Sequence, residues 1–382
     1  MTQLQGIRVL DLSRLYPGPL ASLMLSDMGA EVIKVEDLSG DGMRHFPPFA
    51  KDGNSISFHA MNRGKKSITL DLKSKNGRDQ LFSLIKDADV LIESFRPLVL
   101  EKLLQVKNIE ELLQINPKLV VARISAFGQS APSDLKNIPA HDMNSLARAG
   151  VFHINNLSKH APSPMPIQAA DLLSGYTCCM QICAALFAIK NKNNTNGTVI
   201  DVSMYDVSLA SIMMPLSKYL YNKEAISGGR DALSGSLCCY DIYKTKDGFL
   251  SVACLEVHFW RGFAKAIGLH ESLHGPKAMF CTGEDKNKLQ KLIQEKLMNK
   301  SAHEWEKLLA FELKLPVLEL RAPETALEDP MIKSRRMISD MGDGFSVFNP
   351  GLDYTSFLSS KELDSQHAPA LGEHNNQILS RL

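Results

Sequence analysis

Residues 6 to 36 read GIRVLDLSRLYPGPLASLMLSDMGAEVIKVE, and this stretch decides the fold. GIRVLDLS is apolar and rich in branched residues, PLASLMLSDMGA has helical spacing with Gly29 as a stop, and EVIKVE is a second strand. The alternation continues outward through KSITLDL, a helix from about Lys75 to Asp87, DVLIESF, a helix around 98 to 114, and LVVARISAFG. Short apolar strands separated by helices predict a parallel sheet with helices on both faces, an α/β and Rossmann-like large domain. The loop after the first strand, SRLYPGPLA, has no G-x-G-x-x-G, and Pro17 and Pro19 remove backbone donors that a phosphate loop needs. A nicotinamide enzyme is therefore a poor reading.

Farther along, the pattern predicts a long helix from 172 to about 190, a polar turn in NKNNTNG, then a strand and helix in TVIDVSMYDVSLASIMM. ISGGRDALSGS (226 to 236) reads as a hinge, and CYDIYKTKDGFLSVACL as a hairpin with a Lys-Asp-Gly turn. Helical segments follow to about 330. The expected organisation is a large domain over 1–200, completed by 330–382 including PGLDYTSF. A linker helix and hinge cover 201–228, and a smaller α/β domain covers 229–329.

The bulk numbers bound the function. With 382 residues the chain is long for one core, and a net charge of +1 argues against nucleic acid as its partner. Seven cysteines include the adjacent pairs Cys178–Cys179 and Cys238–Cys239 but no C-x-x-C. That is neither a zinc pattern nor a disulfide framework, and the odd count suits a reducing compartment. MTQLQGIRVLDLS starts as a strand rather than a signal peptide. CCMQICAALFAI (178 to 189) falls short of a membrane span and reads as a buried helix, so no membrane partner is expected. The closing Ser-Arg-Leu resembles a peroxisomal address, with a frayed tail as the plainer reading. A cytoplasmic location is expected, with the peroxisome as the alternative.

Two segments carry candidate chemistry. KNIPAHDMNSLARAG (136 to 150) puts His141 beside Asp142 where a loop runs into a helix. A lone loop histidine is more often a structural donor than a catalyst. PMPIQAADLLSGY (164 to 176) carries Asp171 at the start of a long apolar segment, in the sequence position of an N-cap. Amides at that helix start are candidate donors to an oxyanion.

The chain resembles a known family over nearly its whole length: the class III CoA-transferases (CaiB/BaiF) and their relatives, the α-methylacyl-CoA racemases. VLDLSRLYPGPLASLMLSDMGAEVIKVE, NRGKKSITLDLK, DVLIESFRP, AADLLSG, NGTVIDVSMYD and APALGEH carry the resemblance by their order and spacing. It implies an interlaced homodimer and acyl-CoA substrates in fatty acid metabolism. It also implies no metal and no cofactor, coenzyme A being part of the substrate.

Two chemistries run on this family's site. In the transferases an aspartate at the position of Asp171 attacks the thioester and forms an acyl anhydride. In the racemases the same aspartate works with a histidine on the opposite face of the α-carbon, through an enolate. The racemase run is G-H-D-x-N, and AHDMN here departs only at Ala140. SVACLEVHFW resembles the segment whose glutamate, here Glu256, hydrogen-bonds that histidine; taken alone, Glu256 is an ordinary strand-end carboxylate. The expectation is a racemase inverting C2 of 2-methylacyl-CoA thioesters with His141, Asp171 and Glu256 as catalytic residues. The alternatives are a CoA-transferase using Asp171 and a non-catalytic acyl-CoA-binding homologue.

Coenzyme A needs cations or backbone donors for its phosphates. The segment 62 to 73 offers Arg63, Lys65, Lys66 and Lys73, and the resemblance places CoA contacts at Leu70, Asp71, Leu72 and Lys73. It also places Arg14 and Arg96 beside the CoA site, and Ala140, Asp142, Met143, Asn144 and Ser145 beside the thioester end. Many relatives have an arginine after the acid of VIKVE where Asp37 stands here, and Arg44 is a candidate substitute from the following loop. Met-rich stretches such as MYDVSLASIMMPL are read as helix core ahead of an acyl pocket.

Overall fold

The computed structural model describes residues 3–154, 162–191, 196–226, 228, 231–342, 344–352 and 367–382. Two compact units are formed. Unit 1 contains Met1–Ala149, Met165–Ser211 and Pro330–Leu382, and unit 2 contains Gly150–Pro164 and Ile212–Asp329. The expected boundary at 200 and the linker over 201–228 differ from this division. The helix after residue 203 packs on the long helix of unit 1 and stays with it.

Unit 1 is built on six parallel strands: β1 (Arg8–Asp11), β2 (Glu31–Glu36), β3 (Lys66–Thr69), β4 (Val90–Glu93), β5 (Val120–Ser125) and β6 (Thr198–Ser203). Their order is β3-β2-β1-β4-β5-β6, so the chain reverses its direction of progress between β1 and β4. Val9 of β1 registers with Val32 on one side and Val90 on the other, all three buried. This continuous apolar centre is what a sheet covered on both faces requires.

The helices of unit 1 begin with α1 (Pro17–Asp27), α2 (Ile56–Asn62), α3 (Lys75–Lys86), α4 (Val99–Leu104) and α5 (Glu111–Ile115). Ser74 caps α3 by accepting the Gly77 N–H at 3.0 Å. The helix expected over 98–114 is broken in two, because Gln105 sits at φ 59° in the left-handed region and ends α4 there. Then come α6 (Ser133–Lys136), α7 (Asp142–Arg148), α8 (Val151–Ile154), which the division assigns to unit 2, α9 (Ala169–Lys190) and α10 (Met204–Ser211).

Helix α9 was expected to be buried, and only one side of it is. Ala170, Ser174, Gly175, Cys178, Cys179 and Ile182 are buried, whereas Met180 and Phe187 are 64% and 69% exposed. Its 22 residues, with a mean hydropathy of 1.7 over the most apolar window, would by length and composition suffice to cross a bilayer. The inner side instead packs against α1. A Cβ at Gly175 would lie 2.9 Å from Leu20 and 3.0 Å from the Pro17 carbonyl, so the contact depends on a glycine.

Buried ion pairs hold the start of α1. The Lys65 ammonium reaches Asp11 at 3.2 Å, Ser22 at 2.7 Å, Asn62 at 2.9 Å and the Pro19 carbonyl at 3.0 Å. Lys34 pairs with Asp41 at 2.8 Å and donates to the Ser13 carbonyl. Asp41 in turn accepts the N–H of Leu15, whose φ of 62° turns the chain sharply between Arg14 and Tyr16. A non-glycine residue persists at such a φ only where its surroundings enforce it.

Unit 2 holds an antiparallel sheet of β7 (Tyr240–Lys244), β8 (Phe249–Ala253) and β9 (Val317–Glu319). The hairpin expected over 240–253 is present, and β9 adds a strand within the stretch expected to be helical. Trp260, Phe263, Tyr243 and Trp305 fill its core. Of the expected loop segments, residues 192–195 of NKNNTNG, 227, 229 and 230 of the glycine-rich stretch, and 353–357 of PGLDYTSF lie outside the described residues.

Candidate active site

The carboxyl ends of β1, β4 and β5 open onto a cavity of about 370 Å³. Arg14, Tyr16 and Pro17 line it from the β1 side, Ser94 to Pro97 from β4, and Ile124 to Gly128 from β5. Such a place, outside the strand ends where the strand order reverses, is where open α/β sheets bind ligands. His141, Ala140, Asp171 and Met204 complete the wall. Two residues thirty positions apart are thus brought to one space.

His141 stands at the N-cap position of α7. Its backbone N–H donates to Asn144 Oδ1 at 3.0 Å, and its carbonyl accepts the Asn144 and Ser145 N–H groups. The turn is therefore fixed through the backbone of His141 while the residue lines the cavity. Ala140 has no positive φ, so replacing glycine there imposes no strain.

Asp171 does not cap α9. Gln168 occupies the N-cap position without a side-chain bond. The cap comes from Asp142, whose Oδ1 accepts the N–H groups of Ala170 at 2.7 Å and Asp171 at 3.2 Å. Those two amides are consequently spent and are not donors for an oxyanion. The Asp171 carboxyl is raised to about 7, first by burial and then by the negative charge of Asp142. Tyr16, half-buried in the same wall, is raised by burial first and then by Asp171, Tyr176 and Asp142.

A second cavity of about 660 Å³ lies along the ends of β1, β2, β3 and β4. Leu70, Asp71, Leu72 and Lys73 line it together with Asp37 and Leu38. Arg14, Phe95 and Val99 belong to both cavities. Arg14 donates to Asp37 Oδ2 at 2.7 Å, lies 5.4 Å from the Phe95 ring centre, and has its own N–H accepted by Ser94 Oγ. Arg96 lines the first cavity and donates to the Asn137 carbonyl at 3.3 Å.

Several sequence candidates lie elsewhere. Arg63 is buried in a bidentate pair with Asp27 at 2.6 and 2.7 Å, Lys65 is in the Asp11 cluster, and Lys66 pairs with Glu31 at 2.6 Å. Of the four cations in that segment, Lys73 lines the second of these two cavities and the other three line neither. Arg44 does not substitute for the missing arginine: it is buried against Glu36 at 2.7 Å, Asn54, the Pro369 carbonyl and the Phe58 ring. Asp142, Met143, Asn144 and Ser145 are outside both linings; Asp142 caps α9, and Asn144 fixes the His141 turn. Glu256 lies in unit 2, at the N-cap position of the helix Val257–Ala266. Tyr16, Phe95 and Met204 escaped the sequence reading. Tyr16 and Phe95 lie in the loops that leave β1 and β4, and the rule of strand carboxyl ends would have found both.

The model of CoA-transferase family III matches residues 4–375. Among curated relatives, a mouse α-methylacyl-CoA racemase is 32% identical over 98% of this chain and 92% of its own length. A succinyl-CoA:mesaconate CoA-transferase of Haloarcula hispanica is 28% identical over 99% and 96%. Among solved structures, a CaiB/BaiF family protein from Brucella suis superposes with a TM-score of 0.82 at 25% identity, covering 100% of this chain and 99% of that one.

Proposed function

Because the chain belongs to CoA-transferase family III, we propose that it is a racemase inverting the α-carbon of 2-methylacyl-CoA thioesters. His141 and Asp171 are the acid/base pair. The observation that carries this reading is that both line one cavity and that the Asp171 carboxyl there is held near neutrality. Proton exchange with carbon needs groups that are protonated and deprotonated in comparable amounts at the working pH.

One group removes the α-proton, which leaves an enolate. The other delivers a proton to the opposite face and becomes the base for the next turnover. The thioester end lies in the cavity of His141 and Asp171, and the nucleotide reaches past Arg14 into the cavity of Leu70 to Lys73. An interlaced homodimer and a hydrogen bond donated by the His141 ring N–H to the Glu256 carboxylate complete the reading, the carboxylate raising the basicity of the other ring nitrogen.

The competing reading is a CoA-transferase with Asp171 as nucleophile, supported by the transferases among the relatives. His141 in the same cavity favours proton transfer instead, since the anhydride route uses Asp171 alone and leaves the histidine without a part. Incubation with an (S)-2-methylacyl-CoA in heavy water separates the two. Deuterium at the α-carbon with loss of optical purity is expected. CoA transfer to a free carboxylic acid without exchange would overturn the racemase, and neither activity would favour an acyl-CoA-binding protein.

A further inference from the structure

The larger cavity carries a charge pattern that a coenzyme A site does not need. Its wall presents two cations, Arg14 and Lys73, and two acids, Asp37 and Asp71, apart from Glu36, which is neutralised by Arg44. Arg14 has already committed one guanidinium nitrogen to Asp37 at 2.7 Å. Asp37 itself is fixed: its Oδ1 accepts the backbone N–H of Ser39 at 2.9 Å and the Ser39 hydroxyl at 2.5 Å. Three donors hold the carboxylate in place and keep its pKa low, so it remains an anion at neutral pH.

Position gives this anion its consequence. Asp37 immediately follows β2, where an acid in a Rossmann-like sheet accepts hydrogen bonds from ribose hydroxyls. A nucleotide whose thioester arm runs past Arg14 places its ribose at that strand end and its diphosphate nearest the Arg14 guanidinium. The two cations then serve the diphosphate. A phosphoryl group on the ribose meets a carboxylate in place of a cation, and like charges at this range repel.

We propose that Asp37, held in place by Ser39 and Arg14, is a specificity-determining residue that cancels the contribution of the ribose 3′-phosphate, so that the site accepts coenzyme A and its 3′-dephospho form almost equally. The inference rests on the acyl-CoA reading above. It assigns to Asp37 a task separate from holding Arg14.

The test is calorimetric titration of the full chain with CoA and with 3′-dephospho-CoA at fixed ionic strength, for the wild type and for Asp37→Asn. Wild-type dissociation constants within about threefold of each other are expected. Asp37→Asn keeps an acceptor for Ser39 and removes the charge, and it is expected to shift the ratio about fivefold in favour of CoA. Tenfold or tighter wild-type binding of CoA over its dephospho form overturns the inference and leaves the acyl-CoA reading standing. Equal weakening of both ligands in Asp37→Asn also overturns it, reducing Asp37 to a support for Arg14. Binding of neither ligand overturns the acyl-CoA reading and the inference with it.

Discussion

Asp11 and Asp171 are both carboxylic acids of unit 1, the first fully buried and the second half-buried in a cavity wall, and their surroundings drive them in opposite directions. Asp11, at the end of β1, is pulled down to about 2 despite full burial, by Lys65, Lys34 and the hydroxyls of Ser13 and Ser22. Asp171 has no cation among its influences; burial and the neighbouring charge of Asp142 lift it to about 7. Burial raises the carboxyl in both cases, and the partners decide the outcome. The first acid is a fixed anion that clamps α1 through Lys65 and Ser22. The second is free to trade its proton.

The comparison can be broken by making the same substitution twice. Asp171→Asn is expected to lower α-proton exchange at least about a thousandfold. Its melting temperature at pH 8 should not fall, because the change removes a carboxylate that folding leaves unfavourably placed. Asp11→Asn strands Lys65 in the interior and is expected to cost about 3 kcal/mol of unfolding free energy in urea at pH 7. A destabilised Asp171→Asn, or an Asp11→Asn as stable as wild type, would show that the two acids do not differ as described.

A smaller effect separates them by pH. Asp11 has a folded pKa below its unfolded value of 3.8, so its contribution is present above about pH 4 and is lost as pH falls towards 2. Roughly 2 kcal/mol of stability should disappear over that window, and Asp11→Asn should remove this part of the profile. Asp171 has the opposite sign: its raised pKa costs stability progressively as pH climbs from about 4 to about 7.

The smallest effect sharpens the Asp171 side. Asp142→Asn keeps an oxygen for the α9 amides and removes the charge. The acid limb of the exchange rate against pH should move down by less than about one unit, because burial contributes more than Asp142. An unmoved limb would leave burial as the whole cause.

The alternation of strands and helices was legible because each element is encoded within its own residues. β1, α1 and β2 follow the apolar pattern of residues 6 to 36, and α3 begins after Ser74 because that side chain caps it. His141 and Asp171 were legible as candidates through the family's motifs. What stayed hidden depends on partners distant in sequence. Lys65 and Arg63 read as ligands for phosphate in a basic stretch, yet Asp11 and Asp27, 54 and 36 positions away, bind them in the interior. The role of Asp142 was hidden for the same reason, since the helix it caps begins 27 residues later. Local charge patterns do not reveal which cations the tertiary structure will consume.

The cap on α9 also has a consequence for how the site opens. The first turn of that helix is completed by a side chain from α7, the element that begins at His141. If α7 lifts away, the amides of Ala170 and Asp171 lose their acceptor and begin to exchange with solvent, and the anion that helps tune Asp171 leaves in the same motion. His141 and its opposite number are therefore assembled and disassembled as one event. A loosened α7 does not leave half of a working site behind.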